Sequence, residues 1–465
     1  MKTPLLLSFF MLMTALPGLS ANSRDVRSQS GGVITATSSQ AAITQTSPDE
    51  DLWWKQYNDS LLTVLISKAV ANNYDVAAAM KRIKIAERQI TAARSALYPT
   101  VGVSAGWNAE RSAGATSNPA TASHSGSYFN VGANVNWEID VFGRVAAKTK
   151  AARAGVGVSR AEYDAVMVSL CADLAKAYFQ LRTYQQQYNE TVSHIASQEK
   201  VVKMTEARHE ADLGNGLEVA QAKTVLYSTR ASLPTLKSSI RTTANSIAVL
   251  TGVQPDELVP ELLETKPLPS AMPLIGNDVP MNLLRRRPDV LEAEKQIEQY
   301  AAQIGVARKD YLPVLSLTGS IGTSAHKVND LFGDNSLEYS ISPTLSWTVF
   351  DGLSRRNNVE EARLQLQAAT DSYNMTLLTA VEEVDNALTA YNAALERSRL
   401  MKEVLEQSAK SYNMSVDLYR DGLTDFINVV NSQVTYLENQ TALIEAEGNV
   451  YAAQVALYEA LGGGL

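Results

Sequence analysis

The residues best suited to chemistry in this chain are four histidines and a single cysteine, and their spacing does not suit catalysis. The histidines are too scattered for a metal site or a catalytic dyad; they are His124, His194, His209 and His326. Cys171 lies in an apolar helical pattern, where a thiol packs as a small hydrophobic group. The sequence also lacks a nucleophile motif and a phosphate-binding glycine loop. We therefore expect no enzyme activity, no cofactor and no metal site.

The composition is that of a folded chain with a modest acidic excess. The 465 residues are 45% hydrophobic and 19% charged, and the formal net charge is -8. Binding to phosphate backbones needs clustered Lys and Arg side chains, and no such cluster is visible in the sequence. A nucleic-acid partner is therefore excluded.

The beginning of the chain has the pattern of a secretory signal. Lys2 supplies the basic start, an apolar run extends from Leu5 to Leu16, and small residues follow up to Ala21. Residues 1–21 are predicted to direct export; the alternative, a short membrane anchor, is disfavoured because the apolar run is too short to span a bilayer. Residues 22–52 are rich in Ser, Thr and Gln and predict a flexible leader. No later stretch approaches about 18 uninterrupted apolar residues, so membrane-spanning helices are excluded.

The chain contains two copies of one pattern, offset by roughly 210 residues. The matching positions, first copy given first, are Tyr98-Pro99 with Leu312-Pro313, Trp137 with Trp347, Gly143 with Gly352, Gly214 with Gly422, and Gly252 with Gly462. We predict repeats at residues 53–252 and 281–465, joined by an extended, proline-rich crossover at 253–280. Each repeat is predicted as helix, strand, strand, very long helix, turn and return helix. The first helix is expected to run unbroken from Ser60 to Leu97, where Pro99 ends it.

Each repeat carries two stretches in which apolar and polar residues alternate, as they do in membrane strands. The stretches lie at about 100–110, 128–141, 313–324 and 337–350. Their polar positions are mostly Gly, Ser, Thr and Asn, which favours a water-filled lumen over the soluble sandwich that would show the same alternation. Four strands cannot close a barrel, which needs about eight or more, so the chain must oligomerise. Three copies suit a transport pore better than two, which would leave no open interior.

Two helices of unusual length follow the strands, at about 145–212 and 354–420. Each would be on the order of 100 Å long, and their apolar residues recur at coiled-coil steps of three and four. With the return helices they predict antiparallel helical hairpins at about 145–250 and 354–461. The predicted fold class is an α+β membrane protein with a two-fold internal repeat, four membrane β-strands and two long coiled-coil hairpins.

Several motifs resemble those of the outer-membrane efflux channel family, the TolC-like exit ducts. The sharpest match is LLRRRPDVLEAE at residues 283–294, which resembles the opening of the second repeat in the branch that serves resistance-nodulation-division pumps. Further matches are Tyr98-Pro99, the DVFG run at residues 140–143 and the ALGGG run at residues 460–464. The resemblance covers nearly the whole chain from Trp53 onward.

The resemblance implies a homotrimer whose twelve-stranded barrel in outer-membrane lipid continues into a periplasmic α-helical barrel. It implies a passive exit duct for drugs or other small toxic compounds, delivered by an inner-membrane transporter through a periplasmic adaptor protein. The alternatives are the duct of a type I protein secretion system and a periplasmic coiled-coil structural protein, which would leave the strands unexplained. Many members of this branch carry a cysteine for lipid attachment, and this chain has none at the cleavage region, so no lipid anchor of that kind is expected.

The resemblance also implies roles for residues at the hairpin tips. The adaptor-facing turns would be Gly214-Asn215-Gly216 and Gly422-Leu423-Thr424. A link that holds the closed tip would join Glu218 to Tyr419 and the adjacent Arg420. The narrowest point would be lined by Asp425, Asn428 and Asn431, where many relatives carry acidic residues. Because amides polarise without charge, we expect weaker cation selectivity here than in acidic relatives.

Overall fold

The computed structural model describes residues 52–113, 124–269 and 281–463. The predicted signal at 1–21, the leader up to residue 51 and part of the crossover, residues 270–280, lie outside the described residues. The described chain is mostly helical and has one small sheet. No helix in the described part of the chain has an apolar stretch long enough to cross a membrane.

The order of elements in the first half recurs in the second half. The first half comprises α1 (Ser60–Asn72), α2 (Tyr74–Ser95), β1 (Thr100–Ser112), β2 (His124–Ile139), α3 (Arg144–Glu210) and α4 (Gly216–Leu250). A short helix, α5 (Pro255–Leu262), lies in the connection. The second half comprises α6 (Pro288–Lys309), β3 (Val314–Ala325), β4 (Leu337–Ser346), α7 (Ser354–Arg420) and α8 (Phe426–Ala460). The helices α3 and α7 have 67 residues each and are therefore about 100 Å long.

The first helix is broken at Asn73, which differs from the unbroken helix expected from Ser60 to Leu97. Asn73 has an extended backbone, and its side-chain oxygen accepts from the N–H groups of Asp75 and Val76 at 2.7 and 3.2 Å. Its side-chain nitrogen donates to the carbonyl of Leu250 at 2.9 Å. This amide therefore caps α2 and ties it to the end of α4, which compensates for the helical bonds that the break removes.

The sequence predicted an extended crossover at 253–280, but part of it is helical, because α5 forms within it. Pro255 occupies the first turn, where its missing N–H removes no helical hydrogen bond. One side of this helix packs into the core through Leu258, Val259 and Leu262. The proline-rich composition suggested extension, whereas burial of three apolar side chains stabilises the helix.

The four strands form one antiparallel sheet in the order β1-β2-β3-β4. Its register keeps apolar positions in line across the sheet, as in the row Val103, Ala133, Ile321 and Tyr339. The neighbouring row is Gly102, Asn134, Ser320 and Ser340. One face is therefore apolar and the other polar, and within the chain β1 and β4 each have a neighbouring strand on one side only.

Two tryptophans tie the strands to the helices at corresponding places in the two halves. The indole N–H of Trp137 donates to the carbonyl of Leu97 at 2.9 Å, and that of Trp347 donates to the carbonyl of Tyr311 at 3.0 Å. Trp347 lies just beyond β4, which ends at Ser346 rather than at residue 350 as predicted. The carbonyl of Thr348 instead accepts from the guanidinium of Arg355 at 2.7 Å, so the backbone has already left the sheet.

The main apolar core lies where the ends of the hairpins meet α1 and α5. Its fully buried members include Tyr57, Leu62, Tyr178, Phe179 and Ile247. The Tyr57 hydroxyl donates to Gln454 at 2.9 Å, which satisfies a polar group in this core and joins α8 to the segment just before α1. This cluster anchors both hairpins at the end away from their tips.

Glycines with left-handed backbones end α4 and α8 in the same way. Gly252 has φ +68° and Gly462 has φ +87°. A side chain at Gly252 would collide with the carbonyl of Asn72, and one at Gly462 would lie 3.1 Å from the Cα of Arg287. Both positions therefore require glycine for its conformation and for its lack of a Cβ.

Arg287 joins the two sharpest sequence motifs, LLRRRPDVLEAE and the glycine-rich terminus. Its side chain is only 8% exposed and its guanidinium contacts Asp289 at 2.7 Å and Glu383 at 2.5 Å. It also donates to the carbonyl of Ala460 at 2.7 Å. This arginine therefore joins the start of α6 and the end of α8 to the middle of α7.

We predict that Arg287→Ala lowers the free energy of unfolding by about 2 kcal/mol, because it removes charge-assisted bonds and leaves a buried carbonyl unsatisfied. Thermal or denaturant unfolding of the purified protein in detergent measures this change. The matched control is Arg286→Ala, which alters an exposed neighbour and should stay within about 0.5 kcal/mol of wild type. Equal effects of the two substitutions would contradict the assignment.

Candidate functional site

The first helical hairpin, α3 and α4, ends in a tight cap of the left-handed type. The N–H of Leu213 donates to the carbonyl of Arg208 at 2.8 Å, and Asp212 adopts the left-handed conformation with φ +56°. The side-chain oxygen of Asn215 then accepts from the N–H of Glu218 at 3.1 Å and caps α4. These bonds satisfy backbone groups that the two helix ends would otherwise leave free.

The second hairpin, α7 and α8, ends with the same cap. The N–H of Leu423 donates to the carbonyl of Leu418 at 2.8 Å, and Gly422 has φ +73°. Asp212 therefore corresponds to Gly422 in the turn. The predicted match between Gly214 and Gly422 is wrong by two residues, because the left-handed position of the first turn holds an aspartate, which also tolerates this conformation.

Among the described residues, one side-chain hydrogen bond joins the two hairpins at their tips. The hydroxyl of Tyr419, in the last turn of α7, donates to Oε2 of Glu218, in the first turn of α4, at 2.6 Å. We call Glu218 and Tyr419 the tip pair. Gly214 leaves room for this carboxylate, because a Cβ there would lie 2.9 Å from Glu218 Oε2. The structure thus brings together two of the residues that the resemblance implied.

The ring of Tyr419 is buried in a small apolar cluster that both hairpins share. Only 4% of Tyr419 is exposed, and its ring centroid lies 5.2 Å from that of Phe426. The other buried members of this tip cluster are Val202, Ala222, Leu226 and Val429. Burial first, and then the hydrogen bond to Glu218, raise the pKa of Tyr419 to about 12. The phenol therefore stays protonated and remains a donor at physiological pH.

Arg420, which the sequence analysis grouped with the tip pair, does not contact it within the chain. Its guanidinium lies 3.2 Å from the carboxylate of Asp417 on the same helix, and its side chain is exposed. Arg208 takes the nearby position instead, with its guanidinium carbon 4.7 Å from the centroid of the Tyr419 ring. Sequence reasoning missed Arg208, because an arginine in the last turn of a helix is common for electrostatic reasons alone.

The predicted constriction residues share one exposed face at the start of α8. Asp425, Asn428 and Asn431 are all exposed, and Asn428 donates to the hydroxyl of Thr424 at 2.8 Å. Asn428 and Asn431 line a groove of about 470 Å³ between α7 and α8. The described side chains that line this groove carry only hydroxyl and amide groups; the others are Ser408, Ser411, Ser415, Thr424, Ser432 and Thr435.

Both predicted adaptor-facing turns present apolar side chains to solvent. Leu213 and Leu217, on either side of the run Gly214-Asn215-Gly216, are 69% and 64% exposed. Leu423, in the second turn, is 72% exposed. Exposed leucines clustered at one end of a molecule are typical of a protein-binding surface.

Above the tip, α3 and α8 meet along a line of polar contacts that we call the polar seam. Gln187 donates to Glu445 at 3.1 Å, and Gln440 donates to Glu190. One step nearer the tip, the ring of His194 lies edge-on to that of Tyr436, with centroids 6.4 Å apart. His194 is 9% exposed, and its Nε2 has no hydrogen-bond partner among the described residues. Burial lowers the pKa of this imidazole.

Among the described residues, no three acidic, histidine or cysteine side chains lie close enough together to hold a metal ion. The described Cys171 is buried, and burial raises the pKa of its thiol to about 11, which opposes thiolate formation.

The sheet, the long hairpins and the joined tips together define a membrane-channel class of protein. Residues 65–253 and 279–463 match the family described as outer membrane efflux protein, one stretch in each half. The chain belongs to that family, which is one of transport channels rather than enzymes. The family resemblance stated from the sequence is thereby confirmed.

Relatives and solved structures agree with this assignment. Nodulation protein T of Rhizobium leguminosarum bv. viciae is 28% identical over 412 residues, which are 89% of this chain and 84% of that protein. The pyoverdine export outer membrane protein OpmQ of Pseudomonas aeruginosa is 26% identical over 417 residues, covering 89% of this chain and 87% of that protein. The structure of the outer-membrane channel OprN matches with a TM-score of 0.80 at 30% identity, over 89% of this chain and 92% of that one.

We predict that the polar seam weakens in acid because of His194. In the unfolded chain a histidine has a pKa of about 6.5. Since burial lowers the pKa in the fold, the unfolded state takes up the proton first as the pH falls below that value. Stability is therefore fully present above about pH 6.5 and falls in acid, by at most about 1.4 kcal/mol per pH unit for each chain.

Thermal unfolding at about pH 7.5 and about pH 5 tests this, because His194→Gln should show a smaller drop in melting temperature than wild type. Val192→Ala changes an exposed, non-titrating residue on the same helix and should keep the wild-type pH dependence. The assignment would be wrong if His194→Gln also kept it.

Proposed function

We propose that this chain is the outer-membrane channel of a tripartite efflux system. In this proposal it is a passive exit duct for drugs or other small toxic compounds, supplied by an inner-membrane transporter of the resistance-nodulation-division type through a periplasmic adaptor. Family membership supports the channel, and the names of relatives that export pyoverdine or solvents support efflux. The motif at residues 283–294 favours that transporter branch over a type I secretion system.

The working form is proposed to be a homotrimer with repeats at 53–252 and 281–465, joined by the crossover at 253–280. Twelve strands from three copies would pair β1 of one copy with β4 of the next and form a barrel in the outer membrane, with the apolar face toward lipid. Exposed apolar side chains along α7, among them Leu378, Leu400 and Met414, favour further helix packing between copies. The hairpins would extend about 100 Å into the periplasm, and the barrel alone would anchor the protein.

The observation that carries the gating part of the proposal is the hydrogen bond between Tyr419 and Glu218, which is 2.6 Å long and joins the two hairpins. Separation of the hairpins would have to break this bond and expose the ring of Tyr419. The tip pair would therefore hold the channel closed until an adaptor contacts the exposed leucines of the turns. A hydrogen bond to a charged group contributes roughly 1.5 to 3 kcal/mol, which suits a closure that must remain reversible.

We predict that the double variant Glu218→Ala, Tyr419→Phe opens the duct without an adaptor. Loss of one charged hydrogen bond per chain should raise the open fraction in planar bilayers by about 10-fold or more, seen as larger and more frequent conductance steps. Tyr227→Phe is the matched control, because Tyr227 is 59% exposed on α4 and lies outside the tip cluster. Unchanged single-channel conductance of the double variant would refute this gate.

The constriction is proposed to be lined by Asn428 and Asn431, with Asp425 nearby. Amide groups attract cations less than carboxylates do, so wild type should show weak cation selectivity and weak block by a trivalent cation. We predict that Asn428→Asp with Asn431→Asp increases both properties in planar bilayers, whereas Asn428→Ser with Asn431→Ser increases neither. Strong, voltage-dependent trivalent block of the wild type from the periplasmic side would contradict the assignment.

A further inference from the structure

Arg208 lies at the tip in an arrangement that the turn itself does not require. Its carbonyl accepts the capping bond from Leu213, and the corresponding carbonyl in the second hairpin belongs to Leu418. The same cap therefore forms with arginine in one hairpin and with leucine in the other. A role in the turn does not account for the guanidinium of Arg208.

The guanidinium of Arg208 is held mainly by the opposite hairpin. Its central carbon lies 4.7 Å from the centroid of the Tyr419 ring, within the range of a cation–π contact. One terminal nitrogen donates to the carbonyl of Leu213 at 3.3 Å, a long bond. The Nε atom is buried and has no hydrogen-bond partner among the described residues. An arginine free to move would turn its donors toward water or a carboxylate, so the ring is the contact that determines this orientation.

This contact also affects the hydroxyl of the tip pair. The ring of Tyr419 lies beside Arg208, while its hydroxyl donates to Glu218 on α4. Arg208 and Glu218 belong to the two helices of the first hairpin, so that hairpin holds the tyrosine of the second hairpin at two points. Arg208 also acts electrostatically on the hydroxyl, where its charge opposes the rise in the pKa of Tyr419. Variants that remove the hydroxyl but keep the ring, and variants that remove both, therefore distinguish the two contacts.

We propose that Arg208 is a positioning residue of the gate, which holds the Tyr419 ring so that its hydroxyl reaches Glu218. This inference rests on the proposed function of the tip pair. This role requires a positively charged side chain at position 208, placed over the π face of the Tyr419 ring. Opening of the tip therefore separates a charged group from a ring as well as breaking a hydrogen bond.

The test is a cycle of variants whose open fraction is measured in planar bilayers. Arg208→Gln removes the charge and should raise the open fraction by about 2- to 5-fold, the effect of a partly exposed cation–π contact. Arg208→Lys keeps a cation and should stay closer to wild type. In a Tyr419→Phe background, which keeps the ring but has no hydroxyl to position, Arg208→Gln should raise the open fraction by less than it does in wild type. In a Tyr419→Leu background, which removes the ring, it should have no further effect.

The matched control is Arg420→Gln, which removes an exposed arginine near the same tip that pairs with Asp417 and should leave the open fraction unchanged. An equal effect of Arg208→Gln in the Phe and Leu backgrounds would overturn the inference, because the ring would then not be its partner. No effect of Arg208→Gln in wild type would also overturn it. If the Glu218→Ala, Tyr419→Phe variant shows its predicted increase in open fraction in the same experiment, only the role of Arg208 is refuted. If that variant shows no increase, the proposed gate itself is wrong.

Discussion

A β-strand in hydrocarbon cannot leave its backbone N–H and C=O groups unpaired, and the rest of this architecture depends on that constraint. Within the chain, β1 and β4 each have one neighbouring strand, so further copies are the simplest source of the missing partners. The long helices α3 and α7 begin only a few residues after β2 and β4. If copies pair through these strand edges, as proposed, the helical hairpins would also stand side by side, and a helical tube would result.

The contacts between the hairpins change in character along their length. At the base, a large aromatic and aliphatic core holds both hairpins against α1 and α5. Along the polar seam, the contacts between α3 and α8 include hydrogen bonds between polar side chains, such as that of Gln187 with Glu445. At the tip, a few apolar side chains and the tip pair remain. The region with the fewest buried apolar contacts opens at the lowest cost in free energy, so the end remote from the core is the natural place for movement.

Periodicity in the sequence was enough to predict the long helices and the alternating strands, because burial of one face imposes a period on either element. Periodicity did not predict the break at Asn73. The apolar pattern continues through this residue, but its side chain caps the next helix and so ends the previous one. Periodicity also failed where packing competes with composition, as in α5. At the tip, family resemblance pointed to Glu218 and Tyr419. Arg208 could not be predicted, because its partner Tyr419 is about 210 residues away in the sequence. An arginine in the last turn of a helix is also favoured by the helix dipole alone.

The glycines that end α4 and α8 show what a duplicated chain is free to change. Gly252 and Gly462 share a left-handed backbone and closely packed surroundings, so any larger residue at either position would displace a neighbouring segment. The residue that accepts the capping bond at each tip carries no such restriction, since it is Arg208 in the first copy and Leu418 in the second. The first copy thus contributes a cation and a carboxylate, while the second contributes the aromatic ring between them. Different side chains on the same type of turn therefore give the two copies complementary parts of one asymmetric contact.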